Sequence, residues 1–199
     1  MSNLYEAFLQ EQIIEMIQNS NSFAILTHER PDGDAIASSL AIYWYIKSVL
    51  DKADIDIIIP ESPKNFSFLP GFENIKTKPS REKYDLLIIV DELETSRIKC
   101  YDVVSSRCLQ TLLFDHHKGS SAFKKHNSAV IGDFLPSTTA VLLAVFGNVS
   151  KEFLECVVTG ILSDTKNLTV NTNDVTVCTV GALGKLGVDV EKFKKLVGN

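Results

Sequence analysis

Long apolar runs are missing from this 199-residue sequence, and none approaches the roughly 20 residues that a membrane-spanning helix needs. No membrane partner is expected. The opening "MSNLYEAFLQEQ" carries acidic residues and lacks the basic-then-apolar order of a secretory signal, so a cytoplasmic location is expected. There is no excess of positive charge. The formal net charge is −5 and the sequence pI about 5.4, which argues against a broad nucleic-acid face and against binding of long duplex DNA. Cysteine is scarce: Cys100, Cys108, Cys156 and Cys178 form no CxxC pair, excluding a zinc knuckle and a disulfide framework in favour of reduced, buried thiols. No internal repeat, low-complexity segment or interdomain linker interrupts the chain. What remains is 45% hydrophobic and 23% charged, an ordinary balance for one compact globular domain.

The apolar residues then set the organisation. Residues 3–19 read as a helix, with Leu4, Phe8, Ile13, Ile14 and Ile17 roughly on one face. "SFAILT" reads as a short buried strand, and Asp34 to Leu50 as a helix whose N-cap is Asp32 or Asp34. "DIDIIIP" is a second strand, followed by a loop containing Pro63, Pro70 and Gly71. "YDLLIIVDE" and "LQTLLFDHH" are apolar strands ending in charged residues, and "SAVIGDFL" is another strand. Helices are expected over Ser137 to Gly147, Lys151 to Asp164, Asp174 to Gly187 and Val190 to Val197. Strands alternating with amphipathic helices predict an α/β fold, a mostly parallel sheet with helices on both faces.

Ligands of such sheets bind beyond the carboxyl ends of the strands. Three strands here end in charged clusters, "THERPDGDAIAS" (Thr27 to Ser38) among them. The fold should therefore gather His28, Asp32, Asp34, Asp91, Asp115, His116 and His117 in one crevice. So many carboxylates and imidazoles repel one another, or bear a heavy desolvation cost, unless a counter-charge joins them. Divalent cations supply it, and mixed Asp and His donors suit Mn²⁺, Fe²⁺ or Co²⁺ better than Ca²⁺. The number of ligands points to two cations about 3.5–4 Å apart bridged by one carboxylate, an arrangement that acidifies water and holds phosphoryl oxygens. Gly33 would let the backbone turn so that Asp32 and Asp34 face one side. Duller readings stand beside these. "DGD" alone is an ordinary turn, Asp91 alone is equally a helix cap, and His126 in "KKHN" reads as a surface residue. Two of the four histidines standing side by side at a ligand-facing edge are harder to explain structurally.

"HERPDGDAIAS", "IIVDELETSR", "FDHHKGS" and "GILSDTKNL" together resemble the four motifs of the DHH phosphoesterase superfamily, from Thr27 to about Leu168. The branch most resembled is that of the oligoribonucleases and phosphoadenosine-phosphate phosphatases. The resemblance implies that His28 and Asp32 bind one metal, that Asp34, His116 and Asp164 bind the other, and that Asp91 bridges them. Asp164 would otherwise be read as a helix-end turn. His117 would contact the scissile phosphate, and Asp115 would orient a neighbouring imidazole. Arg97 matches a recurrent arginine, as a structural ion pair in preference to a substrate contact. Ser137 is the N-cap of a helix beneath the site, and Ser38, Ser39 and the thiols need no covalent role.

The implied function is Mn²⁺-dependent hydrolysis of phosphate esters of short single-stranded oligonucleotides or small nucleotides, by a hydroxide that two metals activate. Co²⁺ and Mg²⁺ are the alternative metals, and an oligomer is compatible with the reading. An inorganic pyrophosphatase and a metal-binding module without turnover are the competing readings. The sequence departs from these relatives in lacking a C-terminal "GGGH" segment. The expectation is a single catalytic domain over 1–199, either a fragment of a longer two-domain protein or a stand-alone domain, with turnover weakened where the cap domain is missing. It would comprise an N-terminal helix (1–20), a motif-bearing core (21–168) and C-terminal helices (169–199). Ala37, Ser120 and Val141 are smaller departures that leave every proposed ligand in place.

Overall fold

A computed structural model describes residues 2–119 and 128–198, with the side chains of residues 2–8 outside the description. Leu4, Phe8, Ser120 and His126 thus lie outside what the structure shows at side-chain level. The elements run α1 (Ser2–Gln18), β1 (Ser22–Leu26), α2 (Gly33–Val49), β2 (Asp54–Ile58), β3 (Ile75–Lys76), β4 (Tyr84–Val90), α3 (Tyr101–Ser105), β5 (Cys108–Asp115), β6 (Ser128–Ile131), α4 (Thr138–Phe146), α5 (Lys151–Asp164), α6 (Asp174–Lys185) and α7 (Val190–Val197). Among the described residues six strands form one sheet in the order β3-β2-β1-β4-β5-β6, and their pairings are all parallel. From β1 the chain builds outward one way through β2 and β3, then returns to β4 and builds the other way. The topological switch point therefore lies between β1 and β4, where a crevice opens beyond the strand ends.

The apolar strands are continuous because both faces of the sheet are covered. The coverage is uneven. One face carries α2, α4, α5 and the Ile13 and Ile17 side of α1, packed on Phe23, Ile25, Leu86, Ile88, Leu112 and Phe114. The other is closed more thinly by the segment around Ile98 and Val104 over Ala24, Leu26, Leu87, Ile89 and Leu113. The segment includes α3, a five-residue helix too short to leave a periodic signal. The two-residue β3 and the three-residue 3₁₀ turns at Lys64–Phe66 and Phe72–Asn74 also fall in what reads as plain loop. "SAVIGDFL" forms a strand only as far as Ile131. No helix among the described residues is long and apolar enough to cross a membrane. All four cysteines are free; Cys156 is buried and Cys178 exposed, against the expectation that the thiols are buried.

Asp56 is a buried carboxylate (2% side-chain exposure) with a structural task. Lys76, Tyr84, and both the backbone N–H and hydroxyl of Ser80 donate to it. It thereby ties β2 to the start of β4 and to the loop after β3. Burial by itself would raise its pKa. Lys76, Tyr84 and Ser80 outweigh that and hold the carboxyl at about 2. Its stabilising contribution is therefore present above the ordinary carboxylate range and is lost as pH falls toward about 2. Asp56→Asn strips the charge from a buried carboxylate that accepts from Lys76, Tyr84 and Ser80 at once, and should lower stability by about 3 kcal/mol. Thermal denaturation at neutral pH measures this as a fall of about 6–12 °C in melting temperature, and an unchanged Tm would refute the clamp.

Candidate metal centre

The three charged strand ends converge at the switch point. His28 follows β1, Asp91 follows β4, and Asp115, His116 and His117 close β5. Asp91 is the centre of the cluster. It is 3% exposed and sits in the left-handed region at φ 60°, tolerated more readily by Asp and Asn than by most residues. His28 Nε2 lies 3.7 Å from its Oδ2, whereas His116 Nε2 and His117 Nδ1 each lie 3.7 Å from Oδ1. One carboxylate thus faces different histidines with its two oxygens. No helix starts at Asp91, so the capping reading fails; Glu94 precedes the next short turn.

Asp32 is the N-cap of α2, its Oδ1 accepting from the N–H groups of Asp34 and Ala35, both at 3.0 Å. Asp34 does not cap its own helix. It reaches across to the N-terminus of α4, where Thr138 N–H donates to Oδ2 at 2.6 Å and Thr139 N–H to Oδ1 at 3.1 Å. Thr138 Oγ1 donates to Asp91 Oδ1 at 2.8 Å. The positive end of α4 therefore holds two acids of the cluster in place. Ser137 caps α4 as expected, its hydroxyl accepting from Ala140 N–H. Asp164 is the last residue of α5 and lies 2.9 Å from His116 Nε2. Asp115 is fully buried, and its Oδ1 accepts from the His117 backbone N–H at 2.6 Å and Nδ1 at 2.7 Å.

Arg97 pairs with buried Glu92 at 3.2 Å. The Ser38 and Ser39 hydroxyls bond the Ala35 carbonyl within their own helix. Ala37 and Val141 are core residues.

Electrostatics show what the cluster lacks. Burial, then Asp91 and Asp164, push the Asp34 carboxyl well above the usual range. Asp164 is also raised, by burial first. Burial opposes charging of His28 and His116, but neighbouring acids prevail and lift both to about 9: Asp91 foremost at His28, Asp164 foremost at His116. Without a cation the site must store protons to offset its carboxylates. His116 Nε2 is buried and its close neighbour among the described residues is the Asp164 carboxylate, at 2.9 Å. Among the described residues, donor atoms within 4.8 Å of one another form three groups: His28, Asp32 and Asp91; Asp34, His116 and Asp164; and Asp91, His116 and His117. Mixed imidazole and carboxylate donors fit a divalent transition metal, so the residues present suit such an ion.

Two contributors are not evident from motif spacing. Thr138 reads only as the residue after a cap. Gly160 lies mid-helix in α5, and a Cβ there would meet Asp34 Oδ1 at 2.2 Å and Thr139 Oγ1 at 2.3 Å. Gly33 works the same way. Its φ is not left-handed, so it does not serve as the turn expected from "DGD". Instead a Cβ on Gly33 would meet Ser163 Oγ at 2.4 Å. The two glycines let α2 and α5 approach closely enough to bring Asp34 and Asp164 together. Gly160→Ala should displace Asp34 and cost about 1–3 kcal/mol of stability, with weaker cation binding in calorimetry. Full affinity in that variant would show the close approach to be incidental.

The sequence matches the DHH family, N-terminal domain, over residues 22–161, and the chain belongs to that family. It is 24% identical over 215 aligned positions to cyclic-di-AMP phosphodiesterase PdeA of Listeria monocytogenes serotype 1/2a (strain 10403S), which takes in 94% of this chain and 32% of that protein. Its fold matches the crystal structure of an exopolyphosphatase-related protein from Bacteroides fragilis with a TM-score of 0.85 at 24% identity, covering 96% of this chain and 60% of that one. The chain thus spans about a third of the length of PdeA and three fifths of the solved chain.

Proposed function

We propose that the chain carries a two-cation phosphoesterase centre that hydrolyses phosphodiesters of small nucleotides, cyclic dinucleotides and short oligonucleotides among them. The observation that carries this reading is Asp91, which presents one oxygen to His28 and the other to His116. His28, Asp32 and Asp91 would hold one cation, and Asp34, His116 and Asp164, with Asp91 shared, would hold the other. When bound, such a pair supplies an acidified water and a positive field for the phosphoryl oxygens. Mn²⁺ suits the donors, with Co²⁺ or Mg²⁺ as substitutes. Membership of the DHH family and the small-nucleotide specificity in the name of PdeA support both parts of the reading.

The protein side of the chemistry falls to four residues. Asp115 fixes the ring of His117 through Nδ1 and, foremost among the causes, raises its pKa. His117, 55% exposed, is thereby favoured as an imidazolium whose Nε2–H donates to a non-bridging phosphate oxygen. Thr138 holds the orientation of Asp91, and Asp32 positions the first turn of α2 against the site. No serine or thiol takes part. The centre is proposed to be complete within 21–168, with 1–20 and 169–199 packed around it as one domain.

Incubation of the purified chain with Mn²⁺ and a panel of substrates tests the proposal: a cyclic dinucleotide, a linear dinucleotide, phosphoadenosine phosphate and pyrophosphate. Turnover of the nucleotides and not of pyrophosphate is expected. Turnover of pyrophosphate alone, or none on any substrate with cations bound, would contradict it.

A further inference from the structure

On the His117 side of the centre a cavity of about 330 Å³ is lined by His116, His117, Lys118, Phe134, Asn171 and Asn173, among others. Its most unusual wall is Phe134. This ring is 69% exposed, whereas the smaller neighbouring Leu135 is packed against the core. Burying an aromatic side chain stabilises a fold by about 2–3 kcal/mol, and folding alone would favour the reverse placement.

The backbone that carries the ring is fixed. Leu135 N–H bonds Gly132 carbonyl at 2.9 Å, closing a turn that contains Phe134, and Gly132 N–H bonds Asp115 carbonyl at 2.9 Å. The turn is thereby fastened to the end of β5, next to the two histidines. A Cβ on Gly132 would meet Val141 Cγ2 at 2.8 Å, so the turn sits close on α4. The opposite wall is equally constrained. Lys166, Asn167 and Leu168 are consecutive left-handed residues, followed by left-handed Asn171. Asn173 then caps α6 through a reciprocal bond with Thr176. Such backbone is held against its own preference by the packing around it.

We infer that this cavity is the nucleobase subsite of the centre, with Phe134 as the stacking platform. The inference rests on the phosphoesterase reading for the position of the phosphate, beside His117. A group esterified to that phosphate enters the cavity directly. A flat apolar ring suits the face of a base, the Asn171 side chain offers donor and acceptor atoms for its edge, and Lys118 sets a cation at the rim. Because every base has a π-face, the platform selects nucleotides over base-free phosphates without selecting one base strongly.

The test is equilibrium binding to the full chain in Mg²⁺. The probe is 2-aminopurine ribonucleoside monophosphate, whose fluorescence is quenched on stacking. Inorganic phosphate, followed by calorimetry, is the base-free comparison. Base–aromatic stacking is worth about 1–3 kcal/mol by alanine substitution. Phe134→Ala should therefore weaken the nucleotide about 5–150-fold relative to phosphate. Phe134→Trp should restore it with stronger quenching, and Phe134→Leu should remain weak. If Phe134→Ala leaves that ratio unchanged, or Phe134→Leu restores it, the subsite assignment is overturned while the phosphoesterase reading stands. If the quench follows residue 134 but no ester in the substrate panel is turned over, the cavity stands as a nucleotide site and the phosphoesterase reading falls.

Discussion

Replacing Asp91 with asparagine should abolish turnover, by about 10³-fold or more, and weaken both cation sites together. The loss is larger than for any other single ligand because two sites share this carboxylate. Removal of one electrostatic stabiliser of a transition state already costs about 10²–10³-fold. Asparagine is the informative substitution. It tolerates the left-handed backbone at φ 60° and can still accept from the Thr138 hydroxyl. In the metal-free chain it also relieves the repulsion that Asp91 exerts on Asp34 and Asp164. The fold should therefore survive while binding and catalysis do not. Metal titration and steady-state kinetics on the same preparation measure both. Loss of one cation with the other retained at full affinity would show that the carboxylate serves a single site.

Cation binding should raise the melting temperature by about 10–20 °C. Each site filled at a hundred times its Kd adds about 2.7 kcal/mol, and in a chain of this size each kcal/mol moves Tm by about 2–4 °C. The effect should also widen with pH. His28 and His116 have folded pKa values of about 9, raised from 6.5. Their stabilising contribution in the metal-free protein is fully present below about 6.5 and is lost as pH rises through about 9. The same protons must leave before an imidazole nitrogen can bind a cation, so binding releases protons and strengthens over that interval. Chelated protein should therefore melt lower at pH 9 than at pH 6.5, while the shift produced by Mn²⁺ grows. Scanning calorimetry with Mn²⁺ and with chelator at both pH values measures this. A shift that is absent, or that shrinks with pH, would contradict the assignment of these histidines.

The sheet was legible because buried parallel strands must be apolar throughout, as "LLIIV" and "LLF" are. The candidate site was legible for a related reason. His28, Asp91 and His116 lie within two residues of the ends of such strands, and in a parallel sheet those ends meet. Asp164 carries no such signal. It ends a helix, where an acid usually means a turn, and only the motif resemblance singled it out. Thr138 and Gly160 were hidden because their work is done across the fold. A hydroxyl 47 positions from Asp91 and a glycine chosen for helix approach leave no local pattern. Gly33 shows the hazard in reverse, since a glycine between two acids reads as a turn and proves to be a contact. The strand β3 and the helix α3 were lost for want of length, and the thin cover of the second face with them.

The central claim is that one carboxylate joins two cation sites. Electron paramagnetic resonance of the full chain titrated with Mn²⁺, alongside metal analysis, tests it most directly. Two Mn²⁺ per chain with a spin-coupled spectrum, replaced in Asp91→Asn by weak uncoupled signals, is the predicted result. A single Mn²⁺ per chain, or two with independent six-line spectra, would contradict it.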